Sequence, residues 1–119
     1  NMSPLTDSLK KINKKIHLET SGAYEISGNW DWICLSPKKN KLPISGIYKK
    51  ANELKVIIYN KHDLIFAVEN AKKVEKNCSL FLQPEWSKKE IVMPLISKFI
   101  LENPNWRLSI QKHKYLGLK

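Results

Sequence analysis

The stretch LKVIIY at residues 54–59 decides the fold, because it is a nearly unbroken run of apolar and β-branched residues. Such a run is typical of a strand buried on both faces, as in parallel sheets. Shorter runs of the same kind occur at 16–20, 30–35, 80–82 and 106–110. The sequence therefore predicts an α/β chain whose five strands form a parallel sheet.

Helical patterns separate these predicted strands. Ser3 followed by Pro4 predicts a helix near the N-terminus, because serine caps free amides and proline needs no donor in the first turn. A short helix is expected at 44–52, and a longer one at 63–74, where apolar side chains recur at helical spacing. Strands that alternate with helices indicate a sheet covered by helices on both faces.

The last predicted helix precedes the fifth strand. Ser87 and Glu90 have the spacing of a capping box. Pro94 predicts either a kink or the true start of the helix. The apolar stripe of this helix consists of Val92, Leu95, Ile96, Phe99 and Ile100.

The chain is basic, with a formal net charge of +10 over 119 residues. A basic excess is typical of nucleic-acid-binding proteins, but every basic residue except Arg107 is lysine, and phosphate readout favours arginine. A non-catalytic α/β module that binds nucleic acid is therefore the less favoured alternative. No apolar run approaches the roughly 20 residues of a membrane span. Without a signal-peptide pattern either, we expect a cytoplasmic protein and no membrane partner.

The titratable residues give no catalytic arrangement. Cys34 and Cys78 lie far apart in apolar runs, which predicts buried thiols rather than metal ligands. His17 is expected at the start of a strand and His62 in the first turn of a helix. Because there is no Ser/His/Asp set, paired carboxylate or Gly-rich phosphate loop, no catalytic residue and no metal ligand is predicted.

Polar residues close three of the predicted strands. The carboxyl ends of parallel strands meet at one edge of a sheet, where ligands bind in barrels and doubly wound folds. The alternative is that each residue only closes a turn. A shared site would use Ser36 and Lys38 for a carboxylate or ribose hydroxyls, and Gln83 for an amide-like or heterocyclic group. The residues at these ends are Glu19, Thr20, Ser36, Pro37, Lys38, Gln83, Pro84 and Glu85.

The chain end, NPNWRLSIQKHKYLGLK at residues 103–119, is unusually specific for a terminus. It combines a helix stop, a short apolar strand and a basic tail. Gln111 and His113 lie in this tail without a repeating apolar face to explain them. We therefore treat them as candidate binding residues, with a solvent-exposed His113 as the alternative.

Five stretches of the chain form a recognisable series of motifs: HLETSG at 17–22, LSPK at 35–38, ELKVII at 53–58, LQP at 82–84 and WRLSIQKHKYLG at 106–117. In these motifs the chain resembles the 7-carboxy-7-deazaguanine synthase family of radical S-adenosylmethionine enzymes. The last stretch is the most specific, and the order of the stretches is that of the family, although Glu-Thr-Ser-Gly stands here for the usual Glu-Thr-Asn-Gly.

The resemblance implies that residues 1–119 are a single domain, the rear half of a partial (βα)6 TIM-like barrel with covering helices. It implies conversion of 6-carboxy-5,6,7,8-tetrahydropterin to 7-carboxy-7-deazaguanine in queuosine biosynthesis. The implied cofactors are S-adenosylmethionine, a 4Fe-4S cluster and magnesium, and a reductase is an implied partner. Because the family's three-cysteine motif and Gly-Gly-Glu segment have no match here, we expect a C-terminal half that is inactive alone. A glycyl-radical enzyme activase is the alternative within radical enzymes.

The resemblance also implies roles for individual residues. The tail folds over the pterin, so Gln111, His113 and the terminal carboxylate, here on Lys119, are expected to bind substrate. The unpaired edge at 16–20 predicts a homodimer. The residues expected at the S-adenosylmethionine site are Thr20, Ser36, Pro37, Lys38, Gln83, Pro84, Glu85 and Trp86.

Overall fold

Five parallel strands form one sheet in the computed structural model, which describes residues 17–110. The strands lie side by side in chain order, which confirms the predicted parallel α/β sheet. The predicted N-terminal helix and the tail residues Gln111, His113 and Lys119 lie outside the described residues. The strands are β1 (His17–Thr20), β2 (Trp32–Leu35), β3 (Glu53–Ile58), β4 (Ser79–Pro84) and β5 (Trp106–Leu108).

The helices connect the strands from β2 onward. Helix α1 (Ile47–Lys50) packs against β2, α2 (His62–Ala71) against β3, and α3 (Lys89–Glu102) against β4 and β5. Helix α1 is a single turn, shorter than the predicted 44–52. It ends there because the backbone is extended from Ala51 onward. This extended segment brings Asn52 to the sheet, where its side chain accepts a hydrogen bond from the Ile33 amide at 2.8 Å.

The two faces of the sheet differ. Along β3, Leu54, Val56 and Ile58 are buried, while the residues between them are only half-buried. All three helices contribute side chains to the core on the face that carries Leu54, Val56 and Ile58. Within residues 17–110, the prediction of a sheet covered by helices on both faces is therefore wrong. The physical reason is that Glu53 and Lys55 alternate with buried apolar residues along β3, and successive side chains of a strand point to opposite faces of the sheet.

The link between β1 and β2 contains no helix, so the predicted alternation of strands and helices fails at residues 21–31. Gly22 turns the chain with a φ of 74°. An added Cβ at Gly22 would lie 2.6 Å from Leu35 Cδ1, which shows how closely this turn packs on the core. Trp30 lies before β2, and its indole donates to the Ser27 carbonyl at 2.7 Å.

Helix α3 begins differently from the prediction. Its N-cap residue is Lys88, without a side-chain capping bond, and a 3₁₀ turn (Trp86–Lys88) precedes it. The Ser87 hydroxyl donates to the Glu85 carboxylate instead, so the predicted capping box is wrong. The helix runs through Pro94, which is exposed. No helix in the described range is long and apolar enough to cross a membrane.

Candidate functional site at the carboxyl edge of the sheet

A cavity of about 420 Å³ lies at the carboxyl ends of β2 and β3. The loop of residues 36–40, which follows β2, forms one wall. Tyr59, Asp63 and Phe66 form the other wall, and Ile57 of β3 lies between them. The cavity has the size of a small-molecule site and lies where open parallel sheets bind ligands.

The predicted segment Ser36, Pro37 and Lys38 lines this cavity. Ser36 and Pro37 are buried, whereas Lys38 is exposed. The Ser36 amide donates to the Thr20 carbonyl at 2.8 Å, which continues the β1–β2 pairing beyond the strands. The Lys41 amide donates to the Lys38 carbonyl at 3.3 Å and closes the loop on itself. The segment is therefore held at its base while the Lys38 ammonium remains accessible.

The second predicted segment lies one strand further along the same edge. Gln83 is only 4% exposed and pairs with the cavity residue Ile57 across β3 and β4. The Glu85 amide donates to the Ile58 carbonyl at 3.0 Å, which extends this pairing. Gln83 therefore lies next to the cavity residue Ile57, and none of the residues 83–86 lines the cavity.

Thr20 is not brought into the cavity. Its hydroxyl accepts a hydrogen bond from the Gly22 amide at 3.0 Å, so the side chain closes the turn after β1. The proposed tail contacts, Gln111, His113 and Lys119, lie outside the described residues. The binding roles of all these residues stay predictions.

Asp63 is one of the cavity residues that sequence reasoning missed. It is only 6% exposed and pairs with Lys39. One carboxylate oxygen, Oδ2, also accepts from the amides of Tyr59 at 2.7 Å and Asn60 at 3.2 Å. Burial alone raises the pKa of Asp63, but hydrogen bonds from Lys39 and the two amides outweigh it and hold this pKa below its ordinary value. The sequence showed this aspartate only as a residue of a helix start.

A second concavity lies on the half-buried face of the sheet. There the Lys55 ammonium lies 2.6 Å from a Glu19 carboxylate oxygen. The Glu53 carboxylate accepts two hydrogen bonds, one from the Trp32 indole at 3.0 Å and one from the Cys34 thiol at 3.3 Å. We call this set of five side chains the open-face cluster.

The two cysteines do not fit an iron–sulfur cluster. Both are free and buried, as predicted. Burial, followed by the nearby Glu53 carboxylate, raises the pKa of Cys34 to about 12 and that of Cys78 to about 11. Iron–sulfur ligands are thiolates, which these surroundings disfavour. Among residues 17–110, no group of three His, Cys, Asp or Glu side chains is arranged to hold a metal ion.

The chain is similar to curated proteins named 7-carboxy-7-deazaguanine synthase. It is 61% identical over 117 residues to the 7-carboxy-7-deazaguanine synthase of Flavobacterium psychrophilum, a match that covers 98% of this chain and 56% of that protein. The synthase of Synechocystis is 48% identical over 99% of this chain and 56% of its own length. The chain thus spans about half the length of the curated relatives it matches.

A solved structure agrees with these relatives. The crystal structure of QueE from Escherichia coli superposes with a TM-score of 0.79 at 30% identity, covering 93% of this chain and 51% of that one. No family model matches the chain.

Proposed function

The chain belongs to the 7-carboxy-7-deazaguanine synthase family, and we propose that its carboxyl-edge cavity is the S-adenosylmethionine site of such an enzyme. The reaction we propose for the whole enzyme converts 6-carboxy-5,6,7,8-tetrahydropterin to 7-carboxy-7-deazaguanine, a step of queuosine biosynthesis. The observation that carries the proposal is the position of Ser36, Pro37 and Lys38 in a cavity at the end of β2.

The chemistry of the cavity fits the cofactor. S-adenosylmethionine combines an aromatic base, a ribose and an amino-acid end with a carboxylate. Phe66 and Ile57 offer an apolar surface, and Ser36 and Asn40 offer polar atoms. The exposed Lys38 ammonium suits an anionic group. When bound, the cofactor would supply radical chemistry, for which the electron has to come from a reductant outside this chain.

The chain's own residues bind and orient rather than react. A cofactor held between the 36–40 loop and Tyr59 lies above the carboxyl ends of the strands, beside Gln83 on β4. Holding reactants in a fixed geometry is a large part of catalysis, and it needs no reactive side chain. We assign no step to a metal or cluster, because Cys34 and Cys78 do not fit one.

We also propose one feature of the whole enzyme and one of the 119-residue chain by itself. In the whole enzyme, the pterin would be bound with the help of Gln111, His113 and Lys119. The 119-residue chain by itself would associate with a second copy through β1, which is one edge of the described sheet. We expect a dimer by light scattering at micromolar concentration, and a stable monomer would contradict this.

A binding experiment tests the proposed cavity. We expect S-adenosylhomocysteine, a stable analogue, to bind the 119-residue chain saturably and to shift the amide resonances of residues 36–40 in NMR spectra. Lys38→Met should weaken this binding about tenfold, the loss of one charge-assisted contact. The matched control, Lys98→Met, removes an exposed lysine of α3 and should bind as the wild type does.

Absence of saturable binding at millimolar analogue would refute the proposed cavity. Equal weakening by Lys38→Met and Lys98→Met would do the same, because it would show a response to net charge alone.

A further inference from the structure

Asp63 makes more contacts than a helix start requires. The N-cap residue of α2, Lys61, makes no side-chain capping bond, and the Asn60 side chain accepts from the first helical amide, that of His62, at 2.9 Å. The Asp63 carboxylate instead reaches back to the amides of Tyr59 and Asn60, which precede the helix. It therefore fixes the turn between β3 and α2, one wall of the cavity.

The same carboxylate reaches the opposite wall through Lys39. The Asp63 side chain is 8% exposed, whereas that of Lys39 is 48% exposed, so the buried partner anchors the exposed one. The Lys39 ammonium also lies 5.8 Å from the centre of the Phe66 ring, a second contact with α2. The loop of residues 36–40 is thus tied to the turn after the neighbouring strand.

We propose that Asp63 is a positioning residue of the cavity: it couples the 36–40 loop, through Lys39, to the turn at Tyr59 and Asn60. Its effect on cofactor affinity rests on the proposed function, whereas the coupling itself does not. A carboxylate that accepts from two amides and one ammonium has defined geometry, because charge-assisted hydrogen bonds are short and directional.

Because of this coupling, we expect the 36–40 loop to be ordered before the ligand binds, so that binding needs little further loss of conformational entropy. A loop that is already fixed loses little freedom on binding, whereas each long side chain that must be immobilised costs about 0.5–1.5 kcal/mol. Releasing Lys39 and its loop should therefore weaken binding about three- to tenfold. The Lys39 charge itself is already paired with Asp63, so Lys38 remains the cation available to the ligand.

Two substitutions separate this role from simple support of the turn. In Asp63→Asn, the amide oxygen still accepts from Tyr59 and Asn60, but the charge that holds Lys39 is gone. Lys39→Met removes the other partner of the pair. We expect either single variant to weaken S-adenosylhomocysteine binding about three- to tenfold with little change in melting temperature. The double variant should be no weaker than the singles, because both remove one coupling.

Two results would overturn the proposal in this experiment. One is wild-type affinity in Asp63→Asn, and the other is a double variant whose loss equals the product of the two single losses. Asp63→Ala serves as the contrasting variant: it should lose thermal stability as well as affinity, because the two amides lose their acceptor.

A ligand-free measurement keeps this inference distinct from the proposed function. Lys39→Met should shift the amide resonances of Tyr59 and Asn60, although Lys39 touches neither amide. The control Lys98→Met should leave both resonances unchanged. If Lys39→Met leaves them unchanged too, the coupling is absent, whatever the ligand does. If they shift while the wild type binds no analogue, the coupling stands and the proposed function fails.

Discussion

On the helix-covered face of the sheet, Leu54, Val56 and Ile58 are almost completely removed from solvent. On the opposite face, the open-face cluster keeps its charged groups partly in water, with the Glu19 side chain 60% exposed. The same strands build both faces, because neighbouring side chains along a strand point in opposite directions. The covered face therefore stabilises the fold, whereas the open face presents polar groups that the fold does not need for its stability.

Two ion pairs sharpen this contrast. At the cavity, the carboxylate of the Lys39–Asp63 pair is buried and accepts two further amide bonds. On the open face, the Lys55–Glu19 pair has the reverse distribution, with the Lys55 side chain 15% exposed and the Glu19 side chain 60% exposed. A buried carboxylate with several donors fixes backbone position, whereas an exposed one is screened and contributes little to stability. The cavity pair is for this reason the better candidate for a positioning role.

The largest expected effect comes from breaking the covered face. Leu54 is 0% exposed, so Leu54→Ala should destabilise the protein by about 2–5 kcal/mol through lost burial and a residual cavity. Its neighbour on the open face gives a matched control: Lys55→Ala should cost less than about 1 kcal/mol. Urea denaturation of both variants measures the difference. Equal losses would contradict the assignment of the two faces.

These two residues also show what the sequence could predict. The apolar character of β3 was enough to predict a parallel strand, and the covered face follows from it. The open face did not follow, because a single lysine and a flanking glutamate at residues 55 and 53 look like minor interruptions until the register fixes their side.

At the candidate site, the sequence identified the segment Ser36 to Lys38 from its place after a strand. Asp63 was beyond reach, because its importance depends on Lys39, a residue distant in the chain whose contact forms only when two loops meet. Thr20 shows the opposite limit. Its position at a strand end predicts a ligand contact, which stays a prediction; in the structure its hydroxyl accepts a hydrogen bond from the Gly22 amide, as threonine often does in turns.

A smaller effect is expected where the turn after β1 packs on the covered face. Gly22→Ala should destabilise by about 1–3 kcal/mol, because φ is 74° and the new Cβ would meet Leu35 Cδ1. Gly46→Ala is the matched control, since its Cβ meets no atom within 4 Å. It should leave stability unchanged or raise it by up to about 1 kcal/mol. Thermal unfolding of both variants checks the pair, and a neutral Gly22→Ala would show that this turn is not held by the core.

The open-face cluster predicts an unreactive thiol at Cys34. Burial raises its pKa most, and the Glu53 carboxylate adds to the effect, to give a value of about 12. Glu53→Gln should therefore lower this pKa partway and speed alkylation by iodoacetamide at pH 9, read by mass spectrometry. Cys78 is the comparison thiol: it bonds to the Ser79 carbonyl and feels Glu53 only through its charge, without a hydrogen bond, so its labelling should change less than that of Cys34. Unchanged relative labelling would show that burial alone protects Cys34.

The same thiol makes stability depend on pH. A raised pKa means that the folded state keeps a proton that the unfolded state loses above 9.0. The stabilisation is therefore complete below that pH and is lost as pH rises towards about 12. The variant Cys34→Ser should lose less stability than the wild type between pH 9 and pH 11 in urea titrations. Parallel curves for the two proteins would contradict the assignment.

The smallest effect is expected for the Lys55–Glu19 pair. Glu19→Gln should cost about 0.5 kcal/mol at low salt, because one partner is mostly in solvent. That difference should vanish in 1 M NaCl, where the screening length falls to about 3 Å. The cavity pair should respond otherwise: the weakening of analogue binding by Asp63→Asn should persist in high salt, because its carboxylate is buried. If salt abolished both effects equally, the two ion pairs would be equally screened by solvent. The proposed electrostatic difference between the cavity and the open face would then be wrong.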